Sequence, residues 1–447
     1  MRLLSAALTA ALALPAGAAA DDPPVDWSRK RKKAVTELAT RWLQERPRTR
    51  FEDWEADRRA ELEAEARAFG PIPEGAREEA VELIWKPVEK HGPRVKGRGK
   101  AVLETPYGEA WFYVSGSGKD RALIVGLHGG GEGAGSADEA RGNWQKKGAI
   151  GMYPQGIRLV HDTWNTVHGE RFALTLIEIA KAQYEVDPDR VYCMGFSMGG
   201  TGSWFLAGRH PDLFAGASPC AGVFMASPAS QVATVEEVEG VQHGLIPNVR
   251  NLAMWYYIGL EDTNCMPGTY LYVADRLEEL RAADPGGYGK IHFQTYPNLA
   301  HAFPPGEPRR GIDWLLDQER ETFPSVLTWE YASDPYPLPG PDDPVGRLPK
   351  HHFYWLHCAE PRDNQRIRAE LVDNEIRLEL KGTADGARGI TLFLNERMID
   401  PEREVVVRLG EEELYRGQPE PDLWTVLETF DARLDRSMVF DRRIELR

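Results

Sequence analysis

Ser197 lies in Gly195-Phe196-Ser197-Met198-Gly199, with a further glycine at Gly200. A G-x-S-x-G pattern alone is weak; its setting gives it meaning. The short apolar run Val191 to Met194 leads in, and the helix-like stretch Thr201 to Ala207 leads out. Strand, tight turn and helix describe a nucleophile elbow, whose strained turn and close strand–helix approach require glycines beside the serine. A serine hydroxyl is a poor nucleophile at neutral pH and needs a histidine base, itself oriented by a carboxylate. Where the chain order is Ser, acid, His, the base lies downstream of the serine. His210, His243, His292 and His301 are the candidates. His210 follows the elbow helix too closely to circle back, and His292 falls inside a strand. His301 lies in Asn298-Leu299-Ala300-His301-Ala302-Phe303, a loop between the last strand and the terminal helix, and is assigned as the base. The preceding strand runs into Gly259-Leu260-Glu261-Asp262. Asp262 fits the G-x-x-D spacing, with Glu261 as the alternative acid.

Acyl transfer also needs donors for the developing oxyanion. The apolar run Ala122 to Leu127 ends in His128-Gly129-Gly130-Gly131, a loop able to present backbone N–H groups. One donor is assigned to Gly130 and the other to Met198, the residue after the nucleophile. Glycines here could also cradle phosphate, but no Gly-Lys-Ser/Thr follows, so nucleotide binding is disfavoured.

These residues need a scaffold, and the periodicity supplies one. Strands are expected at Glu109 to Val114, Ala122 to Leu127, Ile150 to Tyr153, Val191 to Met194, Phe214 to Ser218, Leu252 to Ile258 and Ile291 to Tyr296. Helices are expected at Phe172 to Tyr184, Leu271 to Ala283 and Gly311 to Gln318. Alternating strands and helices predict a doubly wound, mainly parallel α/β sheet over residues 96–322. Ahead of it, residues 21–95 read as a charged helical extension packed on the main domain. After it, residues 323–350 read as a proline-rich linker, and residues 351–447 as a small β-rich C-terminal domain with period-two runs.

The 447-residue chain carries a net charge of −15, which argues against nucleic acid and anionic membrane surfaces as partners. Met1-Arg2, the apolar run Leu3 to Leu14 and Ala18-Ala19-Ala20 describe a secretory signal peptide cleaved after Ala20, hence a secreted or periplasmic protein. No later stretch approaches the ~20 apolar residues of a membrane span. The four cysteines, Cys193, Cys220, Cys265 and Cys358, are expected as buried thiols, with a Cys220–Cys265 disulfide as the alternative. His351, His352 and His357 have no carboxylate at ligand spacing, so neither a metal nor another cofactor is expected.

His128-Gly129-Gly130-Gly131, Tyr153-Pro154-Gln155-Gly156, Trp164-Asn165, Val186-Asp187-Pro188-Asp189-Arg190-Val191-Tyr192, the serine motif, Gly259-Leu260-Glu261-Asp262 and Ala300-His301 occur in this order. The series resembles the α/β-hydrolase esterases related to polyhydroxybutyrate depolymerases, feruloyl esterases and acetylxylan esterases. It spans about the middle half of the chain. The resemblance implies a serine esterase working through an acyl-enzyme on a small-molecule or polymer ester, and places Trp164 on the substrate side. Cys265 departs from the small aliphatic residue common there. Residues 221–250 are a candidate substrate-facing insertion. A prolyl-oligopeptidase-like peptidase would use the same triad with a large propeller-like domain, and an inert carbohydrate- or protein-binding module would lack a triad member.

Overall fold

The computed structural model describes residues 25–96, 99–116, 121–130, 135–157, 163–223, 234–235, 245–332, 347–383 and 386–447. The signal-like segment, Gly131, His243, the proline run at 333–341 and most of 221–250 lie outside the described residues.

Four helices open the chain: α1 (Arg29–Glu45), α2 (Ala56–Phe69), α3 (Arg77–Trp85) and the single turn α4 (Val88–His91). Ser28 caps α1, its hydroxyl accepting the Arg31 N–H, and Val35, Leu38, Ala39, Trp42 and Leu43 form the buried stripe expected of an amphipathic helix.

The central sheet is built from β1 (Gly99–Thr105), β2 (Gly108–Ser115), β3 (Leu123–Leu127), β4 (Ile150–Pro154), β5 (Val191–Phe196), β6 (Gly216–Cys220), β7 (Ala253–Gly259) and β8 (Ile291–Tyr296). Its order is β1-β2-β4-β3-β5-β6-β7-β8. The β1–β2 and β2–β4 pairs are antiparallel and the rest parallel. β3, β4 and β6 are buried along their whole length, as parallel strands covered on both faces are. The covering helices are α5 (Ala137–Trp144), α6 (Val167–Tyr184), α7 (Met198–Arg209), α8 (Gly268–Ala283) and α9 (Arg309–Leu316). This strand order, with the serine turn after β5, is that of the α/β-hydrolase fold. β1 and α5 escape the sequence reading because neither carries a sustained apolar period. β1 is an edge strand on which Val102 stays 46% exposed.

The C-terminal region holds β9 (Val326–Glu330), β10 (His352–Phe353), β11 (Leu356–Cys358), β12 (Arg366–Val372), β13 (Glu375–Lys381), β14 (Ile390–Leu394), β15 (Val405–Leu409), β16 (Glu412–Gly417), α10 (Leu423–Arg433) and β17 (Arg442–Glu445). They form a five-stranded sheet, β16-β15-β13-β12-β9, and a four-stranded one, β10-β11-β14-β17. Two features differ from expectation. β9 lies in the range read as linker yet pairs antiparallel with β12, because Leu327 and Trp329 pack into the C-terminal core. The N-terminal helices pack chiefly on α10 rather than on the α/β domain. Trp42, Leu62 and Ile84 share a core with Trp424, Leu427 and Phe430, and the Trp42 and Trp424 rings lie 5.9 Å apart. Among the described residues no helix is long and apolar enough to cross a membrane.

Candidate active site

β5 runs into Ser197, which adopts φ 59°, ψ −126°, a conformation an L-residue holds only under constraint. The constraint is visible on both sides. The Ser197 N–H donates to the Cys220 carbonyl at 3.0 Å, and the Ser197 carbonyl accepts the Thr201 N–H at 3.0 Å, starting α7. A methyl on Gly195 would stand 2.1 Å from the Gly199 carbonyl oxygen, so only glycine lets the strand and helix meet.

β7 and β8 bring Asp262 and His301 together. Leu260 N–H donates to Tyr296 O at 3.0 Å and Glu261 N–H to Leu299 O at 3.1 Å, tying the two strand ends. Any side chain at Gly259 would strike the Leu299 carbonyl, 2.1 Å from where its Cβ would sit. Asp262 is buried beneath this junction while Glu261 is exposed, which separates the two candidate acids. Asp262 Oδ1 accepts the N–H groups of Asn264 at 2.9 Å and Cys265 at 2.8 Å, an Asx turn that holds the carboxylate still. Its other oxygen, Oδ2, receives His301 Nδ1–H at 2.7 Å. With Nδ1 donating, Nε2 carries the lone pair. The His301 ring packs 4.7 Å from the Phe196 ring, on the residue preceding the serine, and Phe196 packs 4.5 Å from Phe303. Asn264, Cys265, Phe196 and Phe303 were not assigned from sequence; the D-x-N-C spacing of an Asx turn was the available signal for the first two.

The loop after β3 reaches the serine from the other side. A methyl on Gly129 would lie 3.3 Å from Ser197 Cβ, and Gly130 follows with φ 80°. Met198 opens α7 directly after the serine. His128 locks this loop: Nδ1–H donates to Gly129 O at 2.8 Å and Nε2 accepts the Gly156 N–H at 3.1 Å. Burial lowers the His128 pKa, offset in part by the Gly129 bond, and keeps the ring neutral, the only state in which Nε2 accepts.

Trp164 is placed differently from its expected substrate-lining position. It is 1% exposed, its Nε1–H donates to His128 O at 2.9 Å, and its ring meets the His128 ring edge-on at 4.9 Å. The apolar surface of an indole is better buried on the core under the loop than left open to a wet cleft. Trp164→Phe keeps most of the packing and removes the N–H donor. It is expected to lower kcat several-fold with little change in KM, whereas a substrate-lining tryptophan would move KM. His128→Ala, which frees both loop bonds, is expected to lower kcat about 100-fold, the scale of a 1 Å misplacement of catalytic groups. Steady-state kinetics on one ester checks both.

All four cysteines are buried free thiols, so the alternative Cys220–Cys265 disulfide is not formed. Burial pushes the Cys193 and Cys220 thiols up to about 12, which keeps both protonated at neutral pH. The histidines near residue 351 do find a carboxylate. Glu428 of α10 lies beside His352 and His357, a neighbour that spacing along the chain could not show.

Residues 106–298 match the Esterase family, described as "Putative esterase". The "Putative esterase NocK" of Nocardia uniformis subsp. tsuyamanensis is 43% identical over 58 residues, which is 13% of this chain and 17% of that protein's length. The chain thus spans well under two thirds of that curated relative. Among solved structures, a thermostable esterase aligns with TM-score 0.33 and 22% identity over 49% of this chain and 62% of its own. The acetyl xylan esterase from Aspergillus awamori aligns with TM-score 0.35 and 16% identity over 48% of this chain and 98% of its own. By its strand order and serine turn the central domain is an α/β-hydrolase, and its residues 106–298 match the esterase family.

Proposed function

We propose that this protein is a secreted serine carboxylesterase acting on polysaccharide-linked or polyester-type esters. The observation that carries the reading is the 2.7 Å bond from His301 Nδ1–H to buried Asp262, with the His301 ring packed on Phe196, the residue before a serine at a strained strand–helix turn. Ser197 Oγ attacks the ester carbonyl while His301 Nε2 takes its proton, and Asp262 holds the imidazole tautomer and stabilises the imidazolium. The N–H groups of Gly130 and Met198 receive the oxyanion. The imidazolium then protonates the departing alcohol, and water activated by the same histidine clears the acyl-enzyme, so no cofactor enters the cycle. Phe196 and Phe303, half-buried beside His301, give the site an apolar wall suited to the acyl side of the substrate. Export rests on the signal-like first 20 residues. N-terminal sequencing of the exported protein tests cleavage after Ala20.

The function is tested by initial rates on an ester and an anilide sharing one acyl group, with Ser197→Ala as control. Ester turnover that vanishes in the variant, with little anilide cleavage, is expected. Comparable anilide cleavage points to a peptidase instead, and ester turnover that survives the substitution removes Ser197 from the mechanism. Silence on both substrates favours a binding module.

A further inference from the structure

The structure places a second cluster of reactive side chains far along the chain from the triad. His352 and His357 are directly opposed across the β10–β11 hairpin, the position at which two side chains stand on one face of a strand pair. Their rings lie 4.8 Å apart. Glu428 projects onto them from α10, so that two imidazole nitrogens and one carboxylate oxygen all lie within 4.8 Å of one another. His352 Nε2 is buried and has no hydrogen-bond partner among the described residues. A buried acceptor left empty beside two further lone-pair donors costs free energy unless something fills the gap.

We propose that His352, His357 and Glu428 bind a divalent transition-metal ion of the zinc class, which clips the hairpin to α10. The ligand set is two nitrogens and one oxygen, a combination that suits zinc, nickel or copper and not the oxygen-seeking calcium or magnesium. Ligand atoms about 2.0–2.1 Å from a tetrahedral zinc lie about 3.4 Å from one another, so side-chain rotation of about 1 Å closes the cluster. The scaffold is already fixed. Arg433 of α10 donates from Nη2 to Tyr354 O in the hairpin turn at 3.0 Å, and Trp355 Nε1–H donates to Pro324 O at 2.7 Å. Arg443 donates to Glu428 Oε2 at 2.5 Å, orienting the carboxylate as supporting groups around metal ligands do.

The test is calorimetric titration of untagged, chelator-stripped full-length protein with zinc chloride, with cobalt(II) as a spectroscopic substitute. One zinc per chain is expected, with visible d–d bands for cobalt and a raised Tm on zinc addition. His357→Gln and Glu428→Gln are each expected to weaken zinc binding by at least about 10- to 100-fold. Circular dichroism and ester turnover should stay unchanged in Glu428→Gln. Wild-type protein that takes up no zinc overturns the proposal, as does uptake that persists at full strength in both variants. Should His357→Gln fail to fold, the wild-type titration and Glu428→Gln still decide it.

Discussion

Ser197→Ala is expected to lower kcat for ester hydrolysis by about 10⁶-fold, the scale seen when a triad nucleophile is removed from a serine hydrolase. The variant should retain a rate about 10³–10⁴ above uncatalysed hydrolysis, because the oxyanion donors proposed at Gly130 and Met198 remain. Asp262→Asn is the sharper probe of the geometry. The amide preserves shape but can donate toward Nδ1, favouring the tautomer that protonates Nε2 and strips the base of its lone pair. A loss of about 10⁴-fold in kcat is expected. Glu261→Gln should change the rate less than about twofold, since that side chain is exposed and His301 is bonded to its neighbour Asp262. The double variant Ser197→Ala with Asp262→Asn should be no slower than Ser197→Ala alone, because residues that act as a unit are not additive. Steady-state kinetics on all four proteins checks the pattern. A mild Asp262→Asn phenotype beside a severe Glu261→Gln one would reverse the assignment of the acid.

Much of this site was legible because its signals are local. The serine turn, the G-x-x-D after β7 and the post-β8 histidine each lie at a strand end, and strand ends can be located from apolar runs. What escaped was decided by partners distant in sequence. Trp164 looks the same in a cleft or a core, and only the packing of α7 and the His128 loop settles that it is core. Glu428 lies far along the chain from the histidines it meets. The helix α6 makes the point most clearly. Its apolar spacing marks one buried face, and the charges between should then face water. In fact Glu170, Arg171, Glu178 and Lys181 are all buried. The other face of α6 is covered by the chain's two ends, which one-dimensional periodicity treats as separate appendages.

Those charges explain how three parts of the chain become one body. Glu178 receives Arg46 at 2.8 Å and also Arg50, both from the N-terminal region. Glu170 receives Arg209 at 2.7 Å and Arg347 at 2.9 Å. Asp212 receives Lys350 at 2.5 Å and Arg433 at 2.7 Å, joining the end of α7 to the C-terminal region. Forming such pairs stabilises little compared with apolar contacts of equal volume. Breaking one, however, leaves an uncompensated buried charge. They therefore act as conditions on assembly, satisfied only when all three parts dock together.

The largest stability effect is expected at Asp435, whose side chain is fully buried. Its Oδ2 accepts Lys181 Nζ at 3.3 Å and Arg320 Nη1 at 2.9 Å, while Oδ1 accepts the Ser437 N–H at 2.8 Å. Burial alone would raise this carboxyl's pKa; Arg320 and Lys181 outweigh it and hold the pKa well below the ordinary carboxylate range. Asp435→Asn keeps the size and part of the hydrogen bonding but removes the charge. A loss of about 3–5 kcal/mol is expected, read as a lower urea midpoint at neutral pH. The pH dependence separates this cause from a packing defect. A carboxyl whose folded pKa is depressed contributes stability above its unfolded value, near 4, and loses it as pH falls toward the folded value. The gap between wild type and variant should accordingly narrow on acidification below about pH 4. On the alkaline side, burial depresses the Lys181 pKa, and without its acid partner that depression deepens. The unfolded chain then binds more protons than the folded one between the depressed value and about 10.4, so the variant gains stability as pH rises through that window. A pure packing loss would hold the gap constant across both limits. Arg320 cannot shed its proton and keeps Asp189 as a partner at 2.6 Å, so the lysine carries the recovery.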